Sequence, residues 1–193
     1  MKFTYPESAT PLELDEIHTL LQKHISTQKE LDEAEAENIV NGQNWAFSRK
    51  RNHILTIPFL LKVHKKMFEH VWAWAGKYRK RDTNIGVTPH QISLELINLL
   101  DNVKFWIKNS VYSFDEIAVR FHHKLVWIHP FPNGNGRHAR LMTNLLLYNY
   151  DKPQFAWGKH NLGEKNDIRK FYIDALKAAD KNDFSLLLKF ARS

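Results

Sequence analysis

Apolar residues recur at helical spacing along most of the chain. Leu60, Leu61, His64, Met67, Phe68, Val71 and Trp72 form one such series. Thr56 and Pro58 open it, and Gly76 is the expected stop. Ile92, Leu96, Leu99, Val103 and Trp106 form a second stripe behind Thr88-Pro89-His90-Gln91. Ser113-Phe114-Asp115-Glu116 caps a third, which carries Ile117, Phe121, Leu125 and Ile128. A further helix fits Arg137 to about Tyr150. Ile168, Tyr172, Ala175 and Ala179 mark the next, and Phe184 to Ala191 a short last one. Near the start, Thr10-Pro11-Leu12-Glu13 and Thr27-Gln28-Lys29-Glu30 both read as capping boxes. The stretch from Lys77 to Val87 breaks the pattern: Asp82, Asn84 and Gly86 suit turns, while Tyr78, Ile85 and Val87 suit strands. It reads as a short hairpin or an ordered loop. The fold class is all-α with one small β excursion.

Composition narrows the chemistry. The 193 residues contain no Cys, which removes disulfides, a thiol nucleophile and thiolate metal sites. No apolar run is long enough to span a membrane, and the first residues lack a signal-peptide core. The default address is therefore the cytoplasm. The net charge is +7, unevenly spread. Residues 1–40 hold nine acids and three bases, whereas 41–193 hold 12 acids and 25 bases. Three readings fit: solvated faces, an acidic segment folded over an anion-binding body, or a basic nucleic-acid surface. No helix-turn-helix or zinc-finger pattern supports the third.

One segment is built for chemistry. In Ile128-His129-Pro130-Phe131-Pro132-Asn133-Gly134-Asn135-Gly136-Arg137-His138-Ala139-Arg140 the prolines stop one helix. The glycines permit a close turn into the next helix. A helix N-terminus offers unpaired N–H groups and a positive dipole end, an anion site to which Arg137 and Arg140 add two guanidiniums. His129 at its mouth is suited to proton exchange near neutral pH. A plain helix connection is the bland alternative. The loop is not a Walker motif, for it lacks Gly-Lys-Ser/Thr. His122, His123 and His129 make a poor metal set, because adjacent helical residues point about 100° apart.

His129-Pro130-Phe131-x-x-Gly134-Asn135-Gly136-Arg137-x-x-Arg140 resembles the signature of the Fic/Doc (filamentation induced by cAMP) family. Trp74-Ala75-Gly76-Lys77-Tyr78-Arg79 followed by Asn84-Ile85 resembles that family's target-docking flap hairpin. Tyr172, Asp174-Ala175-Leu176 and Asp180-x-x-Asp183 resemble its C-terminal helices. The N-terminal part is similar to a subgroup called mobile mystery protein B. The resemblance implies a Fic-type helical bundle over 49–193 and an N-terminal helical segment over 1–48. It also implies transfer of AMP from ATP, with Mg²⁺, to a Ser, Thr or Tyr hydroxyl of a target protein. His129 would be the general base. Gly134, Asn135 and Gly136 would cradle phosphates, and Arg137 and Arg140 would hold the β/γ end.

Two positions qualify that picture. The family usually has Asp or Glu as a Mg²⁺ ligand where this chain has Asn133, which brings no charge. A catalytically weak or non-catalytic nucleotide-binding relative, or a phosphotransferase, is the alternative. Glu33-Ala34-Glu35-Ala36-Glu37-Asn38 resembles the family's inhibitory Ser/Thr-x-x-x-Glu-Gly/Asn, with Glu33 in the first place. It implies that Glu37 and Asn38 form an inhibitory site, with Glu37 facing Arg140. A solvated acidic helix is the alternative. An antitoxin or regulatory partner and a homodimer stay open; nucleic acid and membrane are not expected partners.

Overall fold

Thr27, Thr56 and Ser113 each stand just before a helix, and each hydroxyl accepts the N–H three residues on. These caps satisfy donors that a helix start leaves unpaired. In the computed structural model, which describes residues 11–159 and 165–193, the helices are α1 (Leu14–Ile17), α2 (Gln28–Phe47), α3 (Ile57–Phe68), α4 (Ile92–Asn109), α5 (Phe114–Ile128), α6 (Asn135–Asn149), α7 (Lys165–Asp180) and α8 (Ser185–Arg192). A 3₁₀ turn at Pro89–Gln91 leads into α4. Thr10 lies outside the described residues. The first helix starts later than the Thr10-Pro11 reading, at Leu14, with Glu13 and Glu16 forming its capping box.

Two expectations change. α3 ends at Phe68, well before Gly76, although Val71 and Trp72 remain buried in the turns that follow. Residues 77–88 form an ordered loop, and no strand occurs among the described residues apart from one isolated antiparallel bridge, Leu20 to Trp72. The hairpin fails because the hydrogen bonds of this segment go elsewhere. Arg79 N–H donates to the Pro130 carbonyl at 2.9 Å and Val87 N–H to that of Ile128 at 3.4 Å. The backbone N–H groups at both ends of the flap are thus spent on the end of α5 and the loop after it, and the link between the two ends is the Arg79 side chain on the Val87 carbonyl.

α2 packs along α3, and α5 lies between α4 and α6. Gly42 permits the first of these contacts, since a Cβ there would fall 2.9 Å from the backbone of Lys66 and Met67. Leu20, Ile25, Leu31 and Ala46 of the N-terminal region belong to the same core as Phe59, Leu96, Phe121 and Leu145. A second cluster joins α5, α6, α7 and α8 through Val119, Leu147, Trp157, Tyr172 and Phe190.

Two arginines, Arg51 and Arg79, are internal. Arg51 stacks on Trp45 and donates to the carbonyls of Trp45, Ala46 and Arg49, closing the end of α2. Arg79 is buried, and Arg81 pairs with Glu16 at 2.8 Å. In the base-rich runs Arg49-Lys50-Arg51 and Lys77 to Arg81, Arg51, Arg79 and Arg81 thus serve structural contacts, while Arg49, Lys50, Lys77 and Lys80 stay exposed.

His64, His122, His129 and His138 are all buried. Desolvation dominates the lowering of each one's pKa, to about 4 for His129 and about 3 for His138, and well below 6.5 for the other two. The unfolded chain titrates these groups near 6.5 and so binds more protons than the fold below that pH. Stability is full above about pH 6.5 and falls as pH drops toward 4 and 3, by up to about 1.4 kcal/mol per unit for each group. Urea midpoints should be clearly lower at pH 5.5 than at pH 7.5; equal midpoints would mean that these rings are solvated.

Candidate active site

The site is the turn between α5 and α6, and its own backbone builds it. His129 is the C-cap of α5, in a left-handed conformation with φ 53°. Arg79 secures this helix end: its Nε donates to the His129 carbonyl at 2.6 Å, and Nη2 donates to the Val87 carbonyl. A cation at a helix C-terminus meets carbonyls that have no helical partner. Burial, then the Arg79 charge, holds the His129 ring down at about 4, so the ring is neutral at pH 7. Gly86 of the flap loop lies over it, close enough that a Cβ there would be 2.7 Å from the His129 Cβ.

Asn135 braces the turn. Its side chain accepts from Phe131 N–H at 2.9 Å and donates to the Phe131 carbonyl at 2.8 Å. That side chain is buried, so Asn135 can meet an anion only through its backbone N–H. Gly134 is the N-cap of α6 at φ 78°, and a Cβ there would sit 2.5 Å from the Phe68 ring. Both conformation and space require glycine. No side chain caps this helix start. A Cβ at Gly136 would meet nothing within 4 Å, so the Gly136 side of the first turn of α6 is open, while Asn135 and His138 face inward. A 15-residue helix presenting free first-turn N–H groups beside Arg137 suits an anion with several oxygens.

The two arginines have separate surroundings. Arg137 is partly exposed, lies 5.0 Å over the Phe68 ring and donates to Glu35 at 2.5 Å and to Asn133 Oδ1 at 3.1 Å. Arg140 lies 4.5 Å over the Tyr172 ring, near Trp157 and Phe190. The expected Glu37–Arg140 pair is not what the structure places there. Glu37 is exposed, and among the described residues it forms no ion pair. Asn38 explains the difference: its buried amide donates to the Lys66 carbonyl and accepts from His70 N–H, which fixes the rotation of α2. Leu31, Glu35, Asn38, Gly42 and Ala46 then share the inward stripe, and Glu37 points away. Glu35 bridges Trp72 Nε1 at 2.7 Å and Arg137. Sequence reading passed over Glu35, although the three- and four-residue spacing from Leu31 to Ala46 carried the signal.

Of the residues assigned to the flap, Gly76 and Arg79 are internal. Gly76 N–H donates to His64, and Arg79 supports α5. Tyr78 is half-buried; Lys77, Asn84 and Ile85 are exposed and form the part that a target could touch.

The metal expectation meets an unfavourable donor set. Asn133 Oδ1 accepts from Gly134 N–H at 2.6 Å and from Arg137, so it faces hydrogen-bond donors. No group of three or more His, Cys, Asp or Glu gathers among the described residues. His122 bonds the Tyr172 hydroxyl and His123 pairs with Asp180, each away from His129. These residues do not form a resident Mg²⁺ site as they stand.

Comparison with known proteins agrees with the geometry. The chain is 31% identical over 147 residues to the protein adenylyltransferase Fic of Culex quinquefasciatus, covering 72% of this chain and 27% of that protein. It thus spans about a quarter of the length of the curated relatives it matches. The N-terminal FIC domain of Bep8 from Bartonella sp. 1-1C superimposes with a TM-score of 0.71 at 15% identity, covering 89% of each chain. A Bartonella quintana Fic domain with bound ADP gives 0.68 at 17% identity, covering 92% of this chain and 94% of that one. The family description "Fic/DOC family" matches residues 54–147, the stretch from the approach to α3 through most of α6. Those residues of the chain are a Fic/DOC family domain.

Proposed function

We propose that this chain transfers AMP from ATP to a Ser, Thr or Tyr hydroxyl of a target protein and is held off by its own α2. The observation that carries the reading is a neutral, buried His129 beside an uncapped helix start and Arg137. In the transfer, the hydroxyl oxygen forms a bond to the α-phosphorus and His129 takes its proton. The bond from that phosphorus to the bridging oxygen breaks, and pyrophosphate leaves. Such a reaction asks the protein mainly for positioning and charge stabilisation. The N–H groups of Gly134, Asn135 and Gly136 with Arg137 supply the charge, and Arg140 the distal contact. Ile85 and Asn84 of the flap would align the target segment. The named activity of the Culex relative and the ADP of the Bartonella domain support the choice of an adenine nucleotide.

In this reading Glu35 on Arg137 lets residues 1–48 regulate the 49–193 core. No antitoxin chain is needed for it. Mg²⁺ enters with ATP as substrate. Asn133 would have to turn from Gly134 and Arg137 to meet it, which motivates the second reading, a weakly catalytic nucleotide-binding relative. Incubating protein whose Glu35 is replaced by Gln with α-labelled ATP and cell extract separates the two, since label on protein supports transfer and bound ATP without label supports the second. Asn133→Asp should lower the Mg²⁺ concentration needed for half-maximal labelling, because a carboxylate adds charge to a hard-cation ligand. Identical Mg²⁺ titrations would remove residue 133 from the metal's surroundings.

A further inference from the structure

His64 lies on α3, outside the signature loop, and is fully buried. Gly76 N–H donates to its Nδ1 at 2.9 Å. That ring nitrogen therefore carries a lone pair, and in the neutral ring the hydrogen sits on Nε2. Nε2 then donates to the Asn133 carbonyl at 3.1 Å. The ring cannot swing, because it stacks on Phe131 at 3.6 Å and 11° and lies against Phe68 at 4.8 Å.

The consequence reaches the anion site. A trans peptide points its C=O and N–H in opposite directions, and the structure has no cis bond. Drawing the Asn133 carbonyl inward onto His64 turns the Gly134 N–H the other way, onto Asn133 Oδ1, the oxygen that also accepts from Arg137. The other nitrogen of the same ring holds Gly76, from which the flap loop departs. We infer that His64 is a positioning residue that sets two seats from one ring, the phosphate loop through Nε2 and the flap root through Nδ1. This rests on the adenylyl-transfer reading for the identity of the anion, and not for the flap.

The two nitrogens can be tested apart. Asn at this position places an amide near Nδ1, and Gln places one near Nε2. In a Glu35→Gln background, His64→Asn should keep the Gly76 contact and lose the loop contact. Its Kd for a fluorescent ATP analogue should rise about ten-fold, the loss of one buried hydrogen bond, while trypsin cuts at Lys77 and Lys80 at the parent rate. His64→Gln should do the reverse, binding the analogue like the parent and being cut several times faster. His64→Phe should change both. Crossed effects of this kind support the inference. It is overturned if Asn and Gln variants change both readouts together in step with their melting temperatures, or if neither changes. If the parent binds no ATP analogue, the adenylyl reading fails. The trypsin comparison still decides the flap half, since equal cutting of His64→Gln and parent overturns it.

Discussion

Replacing Glu35 with Gln should raise AMP transfer or self-labelling by roughly ten- to a hundred-fold. Glu35 occupies Arg137 at 2.5 Å and cancels the charge that the triphosphate needs. The Glu35 side chain is only 13% exposed while Arg137 is 42% exposed, so the pair is half-screened by water. A charge-assisted pair of this kind is worth about 1.5–3 kcal/mol, and each 1.4 kcal/mol released at the barrier is a factor of about ten. Gln keeps an oxygen for the Trp72 indole N–H, which bonds Glu35 at 2.7 Å, so the helix docking survives. Gly would lose that as well, and its larger effect would mix release with destabilisation. Arg137→Ala should cancel the gain, because one arginine serves both states. Glu37→Gln and Glu33→Gln are the controls, since both residues are exposed. If they activate as strongly as Glu35→Gln, bulk charge is responsible and the specific pair is wrong. If none activates, α2 does not regulate the site.

The sequence made the helices and the loop legible because both are written in local chemistry. Thr27, Thr56 and Ser113 cap helices where a hydroxyl three residues ahead of an orphan N–H is expected to. Pro130, Pro132 and Gly134 mark the turn because few other residues could take their places. What stayed hidden depends on contacts between distant segments. The rotation of α2 is set by Asn38 reaching Lys66 and His70, so a motif match alone selected Glu37 over Glu35. Arg79 reads as part of the docking flap, yet it and Arg51 close helix ends with their guanidiniums. The flap lacks strands because its N–H groups are spent on Pro130 and Ile128. His64 passed as one more position in an apolar stripe, and only its two partners, 12 and 69 residues away, show what the ring does.

His129→Ala should abolish transfer while leaving ATP binding intact. General bases contribute about 10²- to 10⁴-fold, and the proposal gives that role to His129, whose buried ring is neutral at pH 7. In the proposed site the phosphates would meet Gly134, Gly136 and Arg137, none of which the substitution replaces. His129 has φ 53°, so Ala adds backbone strain, and His129→Asn is the cleaner partner because Asn tolerates the left-handed region. Both variants should bind an ATP analogue like the parent and lose kcat. The pH profile gives a second check. A base with a pKa near 4 is still deprotonated at pH 5.5, so the acid limb of transfer by the Glu35→Gln protein should lie well below 6.5. The assay must be short and accompanied by circular dichroism, because the other buried histidines weaken the fold in the same direction. An acid limb near 6.5 with the fold intact would mean that the ring is solvated when it works and that the flap opens before transfer. A His129→Asn protein that modifies targets at the parent rate would remove His129 from the chemistry altogether.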